Sequence, residues 1–462
     1  MNCLTRLCQA AISLLVVLVF VDGGPAPLNA QHGRPLGTLR EQAAIQQDWL
    51  ELRLTRVLPR LMREHDVDMW IIPMREYNED PVFGGLVSPT TFAARRRTIY
   101  AFCDRGPEEG VDRIAIGGSS QGGLYRVVRD PNAATGAAAG QERQAEPWGP
   151  DQWQLLPPIV EACDPETIAV NISYDFNFSD GLSAGEWEQM SAALPEMYRS
   201  RIVRRDRLAL DYIAERLPEM LPVYIQMQKV AHQVIATAFS NEVITPGVTR
   251  TQDVVWWMRQ RLNDLGLDTW FQPSVEVQRR GVQMGDSANP VIVHGDLLHC
   301  DFGVTALGLN TDTQHMGYVL RPGETDAPAG LYAALTDSNK LQDIVVDELQ
   351  PGRTGDDVLH RSLARMREAG IDGTVYSHPI GDHGHGAGPL VGLWDRQEGV
   401  PGRGDVPVRT NTWWSIELQS GKTVPEWNGQ LVRMALEEDV YIGGDGKRAW
   451  VLGRQEKFHL VR

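Results

Sequence analysis

Cysteine is scarce in this chain of 462 residues, which contains only five. Cys3 and Cys8 precede residue 30, so three cysteines remain in the rest of the chain: Cys103, Cys163 and Cys300. Three thiols can form at most one disulfide within a molecule, which excludes a fold held together by several disulfides. With 42% hydrophobic residues at this length, the chain is expected to form two or three domains with large cores.

Basic residues are also comparatively few. The 44 Lys and Arg residues are outnumbered by 60 Asp and Glu residues, and the formal net charge is −16. An acidic surface repels the phosphates of nucleic acids and the headgroups of anionic lipids. The composition therefore argues against nucleic acid or an anionic membrane as the partner, and it is typical of an ordinary soluble protein.

The N-terminal hydrophobic run is too short to be a transmembrane helix. Residues 10–21 are mostly apolar, and Arg6 places a positive charge before them. Twelve residues cannot comfortably span a bilayer, which needs about 20. Leu28-Asn29-Ala30 offers a small residue at a cleavage point. We therefore expect residues 1–30 to be a secretory signal peptide, and the mature chain to be periplasmic or extracellular without a membrane anchor.

Residues 31–203 have the pattern of an α/β domain. Leucines and Val57 recur at helical spacing from about residue 46 to 61. Short apolar runs at 67–73, 113–116 and 167–172 predict buried strands, and helix-like stretches lie between them.

The remaining residues, 204–462, contain an internal repeat. Thr245-Pro-Gly-Val-Thr249 precedes an amphipathic helix that ends at Gly266, and Gln350-Pro-Gly-Arg-Thr354 precedes another that ends at Gly370. The proline and the terminal glycine are 20 residues apart in the first copy and 19 in the second. Two copies are too few for a solenoid, so the repeat predicts one domain built from two similar halves.

Several residues with metal-ligating side chains follow one another in this second part. We predict five ligands: Asp301, Asp312, His383, Glu417 and Glu438. Glycines between the two aspartates predict a hairpin that brings them together, and the segment between the two glutamates fits two adjacent strands joined by a turn. Four carboxylates and one imidazole suit Mn²⁺, Zn²⁺, Co²⁺ or Fe²⁺. They could hold two divalent cations with a water between them, which is the equipment for metal-assisted hydrolysis.

The histidine ligand has competitors in its own glycine-rich run, residues 381–388. Asp382 or His385 could take the place of His383 as the metal ligand. His378 and His385 are close to His383 in sequence, and we expect both to be catalytic residues that act beside Glu417.

The order Asp, Asp, His, Glu, Glu and the two Pro-Gly helices resemble the pita-bread metallopeptidases, the superfamily of aminopeptidase P, prolidase and methionine aminopeptidase. The resemblance implies a creatinase-type α/β N-terminal domain and an α+β pita-bread catalytic domain with an internal pseudo-twofold repeat. It also implies two divalent metal ions (Mn, Zn or Co), a small peptide substrate and a homodimer. Asp312 and Glu438 would bridge the metals, and Glu417 would handle the proton of the attacking water.

The chain departs from the family pattern at substrate-contacting positions. Met284 and Trp394 stand where the family usually has histidines, and Leu418 stands where proline often follows the first glutamate. We therefore expect an exported dinuclear peptidase that removes an N-terminal residue, for example ahead of proline, or splits dipeptides. The departures leave two alternatives: a metal-dependent hydrolase of a non-peptide amide, and a non-catalytic binding protein on the same fold.

Overall fold

The computed structural model describes residues 33–129, 136–138, 141–143, 150–282 and 288–462. The predicted signal peptide lies outside the described residues. Within them, no helix combines the length and the apolar character that crossing a membrane requires. The α-helices are α1 (Leu39–Leu52), α2 (Leu58–Glu64), α3 (Pro150–Gln154), α4 (Leu156–Cys163), α5 (Ala184–Ala193), α6 (Glu196–Arg199), α7 (Asp206–Ala214), α8 (Leu221–Ala238), α9 (Thr251–Asp264), α10 (Ala329–Glu348) and α11 (Gly355–Glu368).

The strands form two large sheets and two small hairpins. They are β1 (Met69–Arg75), β2 (Arg97–Asp104), β3 (Val111–Ile116), β4 (Arg126–Val128), β5 (Gly136–Ala138), β6 (Gln141–Arg143), β7 (Ile168–Val170), β8 (Ile202–Arg204), β9 (Ser274–Gln278), β10 (Leu297–Phe302), β11 (Thr305–Ala306), β12 (Leu309–Asn310), β13 (Thr313–Val319), β14 (Asp372–Val375), β15 (His378–Ile380), β16 (Thr412–Val424), β17 (Gln430–Ile442), β18 (Arg448–Trp450) and β19 (His459–Val461).

The first large sheet has the strand order β4-β3-β2-β1-β7-β8. Strand β1 is buried on both faces, because Met69 and Ile71 pack with α4 and α5 while Trp70 and Ile72 pack with α2 and α7. A strand covered on both faces reads as a continuous apolar run, which is why it was visible in the sequence. The sheet ends at Arg204; the domain boundary after residue 203 stays a prediction.

The second large sheet has nine strands, with the order β14-β16-β17-β13-β10-β9 and three short strands beside it. The predicted Pro-Gly helices are α9 and α11. Helix α9 packs on α8, and α11 packs on α10, so each half of the sheet carries a helix pair. Thr354 caps α11 by accepting a hydrogen bond from the Asp357 amide. The predicted fold class, an α/β domain followed by an α+β domain with two similar halves, is confirmed.

Among the described residues, one disulfide joins Cys103 at the end of β2 to Cys163 at the end of α4, and Cys300 is free and buried. The bridge closes a loop of 60 residues, for which chain-entropy arguments give a stabilisation of about 4 kcal/mol.

We expect the double variant Cys103→Ser, Cys163→Ser to lose free energy of unfolding by about 2–4 kcal/mol in urea denaturation. A reducing agent should destabilise the native chain by a similar amount and leave the double variant unchanged. Equal stability of the native chain with and without the reducing agent would contradict this account of the bridge.

Candidate metal centre

Four polar side chains form a row across the second sheet. Asp301 on β10 lies opposite Gln314 on β13, Gln314 lies opposite Glu437 on β17, and Glu437 lies opposite Glu417 on β16. Directly opposite residues of adjacent strands point to the same face of a sheet, so the row places all four side chains together. Gln314 Nε2 donates to Glu417 Oε1 at 2.6 Å and to Glu437 Oε2 at 2.9 Å.

Asp312 and His378 complete the group. His378 on β15 lies opposite Ser415, two residues before Glu417 on β16. Its Nε2 is 3.4 Å from Glu437 Oε1, 3.8 Å from Asp312 Oδ2 and 3.9 Å from Glu417 Oε2. We call Asp301, Asp312, His378, Glu417 and Glu437 the front cluster.

The carboxylates of the front cluster destabilise one another's charged forms. Burial, together with the charge of Glu437, raises the pKa of Asp301 to about 7. Burial and neighbouring carboxylates also raise the pKa values of Asp312 and Glu417 well above their ordinary range. Several acidic groups held this close in a dry site favour a bound cation, which would neutralise them.

The donor set of the front cluster fits a divalent metal ion. Asp312, His378 and Glu437 each offer one ligand atom, and these three atoms lie within 4.8 Å of one another. Within the described part of the chain, His378 Nε2 and Asp301 Oδ1 are buried without a hydrogen-bond partner. Buried polar atoms without partners are rare and call for an explanation, and a cation between them supplies one.

Glu438, a predicted ligand, lies away from the front cluster on the other face of the sheet. Its carboxylate contacts His315 Nε2 at 2.6 Å and His232 Nε2 at 2.9 Å. Neighbouring residues of a strand point to opposite faces, so a shift of one position moves the side chain across the sheet. Glu437 therefore lies in the front cluster at the position that we expected for Glu438, and which glutamate binds metal stays a prediction.

The strand pattern contained the information needed for this choice. Along β17, Val432, Met434 and Leu436 are buried in the hydrophobic core, whereas Leu431 and Arg433 are exposed. This alternation assigns even positions to the core face and odd positions to the other face, which makes Glu437 the ligand candidate.

His383 is also not part of the front cluster. Its ring packs 4.7 Å from the Phe178 ring, and it lines a cavity of about 310 Å³ together with Trp49 and Arg53 of the first α/β region. Burial lowers the pKa of His383. His378 lies in the front cluster instead, because β15 pairs with β16 and thereby carries His378 toward Glu417.

The two alternatives to His383 have different surroundings. Asp382 forms an ion pair with the buried Arg216, and this pairing engages its carboxylate away from the metal ligands. His385 is exposed, and its ring lies 4.9 Å from the His378 ring and 5.1 Å from the Trp270 ring. His385 therefore borders the front cluster at its solvent side, within reach of a molecule bound there.

Trp270 is a site residue that the sequence analysis missed. Its indole donates to the Thr311 carbonyl at 3.1 Å, next to Asp312. Gly384 lies against it so closely that an added Cβ would come 2.2 Å from the indole. A glycine between His383 and His385 thus allows the loop to pass over the indole, and only the contacts of the folded chain reveal this role.

The sequence matches a known protein family over its second part. Residues 224–443 match the model described as metallopeptidase family M24. This range includes all members of the front cluster. A comparison with curated protein sequences gives no match.

Solved structures with the same fold include two peptidases and one domain of a FACT complex subunit. The X-Pro aminopeptidase from Thermotoga maritima superposes with a TM-score of 0.59 at 16% identity, covering 87% of this chain and 100% of that one. A dipeptidase from Mycobacterium ulcerans gives 0.54 at 13% identity, covering 90% and 98%. The N-terminal domain of a FACT complex subunit from chickpea gives 0.53 at 11% identity, covering 91% and 99%. At these identities the superpositions show the fold alone.

Proposed function

Since this chain belongs to the pita-bread metallopeptidases through its M24 domain, we propose that it is an exported aminopeptidase of the Xaa-Pro type or a dipeptidase. The observation that carries the proposal is the front cluster itself. The predicted ligands Asp301, Asp312 and Glu417 converge with His378 and Glu437 on one face of the sheet. Two potential ligand atoms of this group, Asp301 Oδ1 and His378 Nε2, are buried without a hydrogen-bond partner.

We propose that two divalent ions are held by the front cluster, with carboxylate oxygens from four residues and Nε2 of His378. When bound, such ions lower the pKa of a water molecule and polarise the carbonyl of a peptide bond. The mixture of oxygen ligands and one imidazole suits Mn²⁺, Zn²⁺ or Co²⁺.

Glu417 is the residue best placed to accept a proton from the attacking water. Its Oε1 accepts a hydrogen bond from Gln314, while its Oε2 points toward His378 at 3.9 Å. Burial and the charges of Glu437 and Asp301 raise the pKa of Glu417 in the chain without metal ions, and bound cations would restore its charged form. Gln314 in turn accepts from His299 Nε2 at 2.9 Å, so the amide is held in the orientation that donates to Glu417.

A peptide panel tests the proposed reaction. The metal-stripped chain, reloaded with Mn²⁺, Zn²⁺ or Co²⁺, is incubated with dipeptides and tripeptides that carry proline or alanine at the second position. Release of the N-terminal residue, only with metal and only from peptides with a free amino group, is expected. Loaded enzyme that cleaves none of these peptides but hydrolyses a non-peptide amide would contradict the proposed substrate class.

His385 is proposed to contact the bound substrate. Its exposed imidazole lies beside the His378 ring, and burial of part of the ring lowers its pKa, which favours the neutral form. We expect His385→Ala to lower kcat/KM by about 100-fold, the typical contribution of a positioned proton donor or acceptor, while metal content stays the same. Steady-state kinetics with metal analysis of the same samples checks this; loss of bound metal would instead make His385 a ligand.

The compartment and the assembly state are further proposals. The disulfide between Cys103 and Cys163 supports an oxidising compartment such as the periplasm or the extracellular space, because such bonds are rare in the cytosol. The homodimer rests on the family resemblance, and analytical ultracentrifugation at several protein concentrations would test it.

A further inference from the structure

A second group of metal-ligating side chains lies on the opposite face of the sheet from the front cluster. It consists of His232 on α8, His315 on β13 and Glu438 on β17, with His459 on β19 behind His315. We call these four residues the back cluster. We propose that His232, His315 and Glu438 bind one Zn²⁺ ion in addition to the metal held by the front cluster.

The ligand atoms of the back cluster already converge. Glu438 Oε1 lies 2.6 Å from His315 Nε2, and Glu438 Oε2 lies 2.9 Å from His232 Nε2. All three ligand atoms lie within 4.8 Å of one another. Ligand atoms of a tetrahedral zinc site are about 3.3 Å apart, given zinc–ligand bonds of about 2.0–2.1 Å. Small side-chain rotations would therefore admit the ion.

The hydrogen bonds of His315 allow two proton arrangements, and one of them suits a bound cation. His315 Nδ1 and His459 Nε2 are 3.0 Å apart, so one of these two nitrogens carries a proton and the other accepts it. When His315 Nδ1 accepts from His459, His315 Nε2 carries a proton and donates it to the Glu438 carboxylate. When His315 Nδ1 donates instead, His315 Nε2 presents a lone pair that a cation shared with Glu438 can use. His459 then acts as the group that orients a metal-ligating histidine through its other ring nitrogen.

The back cluster is enclosed by the sheet on one side and reaches solvent on the side of α8. His315 and Glu438 are buried on paired strands, whereas the His232 side chain is 26% exposed on the surface of α8. The exposed side provides an entry path and a position for water as the fourth ligand. Two imidazoles with a single carboxylate favour zinc over magnesium or calcium, which prefer all-oxygen sites.

An ion in the back cluster would connect the two faces of the sheet. Glu438 is adjacent to Glu437 on β17, and His315 is adjacent to Gln314 on β13, so each strand carries one residue to each face. The ion would fix α8 to the two strands that position Glu437 and Gln314. Because a ligand that binds only the folded chain stabilises it, saturating Zn²⁺ is expected to raise the Tm of the native chain by roughly 5 °C more than that of a variant without the His232 imidazole.

Metal counting on the full-length chain tests the site. The native chain and the variant His232→Asn are stripped with a chelator, reloaded with Zn²⁺, freed of unbound metal and analysed by mass spectrometry. The variant is expected to hold about one zinc ion per chain fewer than the native protein. The matched control is His360→Asn, since His360 is an exposed helical histidine whose Nε2 contacts the Glu398 carbonyl. The zinc count of this control should equal that of the native chain.

A second measurement does not depend on any variant. Crystals of the native chain loaded with Zn²⁺ should give an anomalous difference peak at the zinc edge between His232, His315 and Glu438. Absence of this peak, or equal zinc counts in the native chain and His232→Asn, would overturn the proposal and leave a histidine–carboxylate ion pair network in its place. Neither readout depends on peptide hydrolysis, so the proposed function can fail while this site stands.

Discussion

His378→Asn is expected to abolish tight metal binding at the front cluster and to reduce peptide hydrolysis by about 10³-fold or more. The metal's electrostatic contribution amounts to several kcal/mol, and each 1.36 kcal/mol corresponds to a factor of ten in rate. The reason is that His378 Nε2 is the only imidazole nitrogen placed 3.4–3.9 Å from the carboxylates of Asp312, Glu417 and Glu437 in the described part of the chain.

The matched variant is His383→Asn, which changes the other histidine of the same segment. His383 packs on Phe178 and lines the cavity near Arg53, so its replacement should leave the metal content unchanged. Metal analysis and steady-state kinetics on both variants decide between the two histidines. A chain that loses metal on replacement of His383 and keeps it on replacement of His378 would restore the ligand assignment made from sequence.

Glu437→Gln is expected to weaken metal binding at the front cluster strongly, as His378→Asn does. The carboxylate of Glu437 lies at the centre of the row and contacts Gln314, Ser415 and His378. The substitution replaces one carboxylate oxygen by an amide NH2 group, which removes a negative charge from the ligand set and keeps the volume of the side chain. The loss of even an outer-shell partner of a metal ligand typically costs 10–100-fold in metal affinity. We therefore expect metal affinity to fall by more than about 100-fold, measured by competition with a chromophoric chelator.

Glu438→Gln provides the comparison on the opposite face. Its carboxylate contacts His232 and His315 and none of the front cluster. The two variants should therefore separate two metal populations: Glu437→Gln lowers occupancy at the front cluster, and Glu438→Gln lowers zinc at the back cluster. Equal loss of activity and of front-cluster metal in both variants would show that the alternation along β17 does not decide the ligand.

The fold was predictable because its strongest features are local. Strand β1 is a continuous apolar run, and the helices after Pro246 and Pro351 begin with the same signal and end at a glycine. Such patterns follow from burial and from backbone preferences, so a single sequence reveals them. The hairpin of β16 and β17 was also expected, because two carboxylates separated by glycines and a proline fit adjacent strands.

The members of the front cluster were harder to predict than the fold, and the physical reason differs from residue to residue. Glu437, Glu438 and Asp439 are all buried, so the hydrophobic alternation of β17 is interrupted where it matters, and it has to be extrapolated from Val432, Met434 and Leu436. His378 precedes the glycine-rich run on a strand of only three residues, whose pairing with β16 depends on tertiary contacts. Trp270 reaches the site from a segment that is distant in sequence from the front cluster, because its indole contacts the carbonyl of Thr311, 41 residues later in the chain and next to Asp312.

The most direct test of the central claim is the position of the metal ions in crystals of the chain grown with Mn²⁺ or Zn²⁺, located by anomalous scattering. We expect density at the front cluster within bonding distance of Asp312, His378 and Glu437, about 2.0–2.2 Å for a zinc ion. Density beside His383, or a front cluster that stays free of metal at saturating concentrations, would contradict the account.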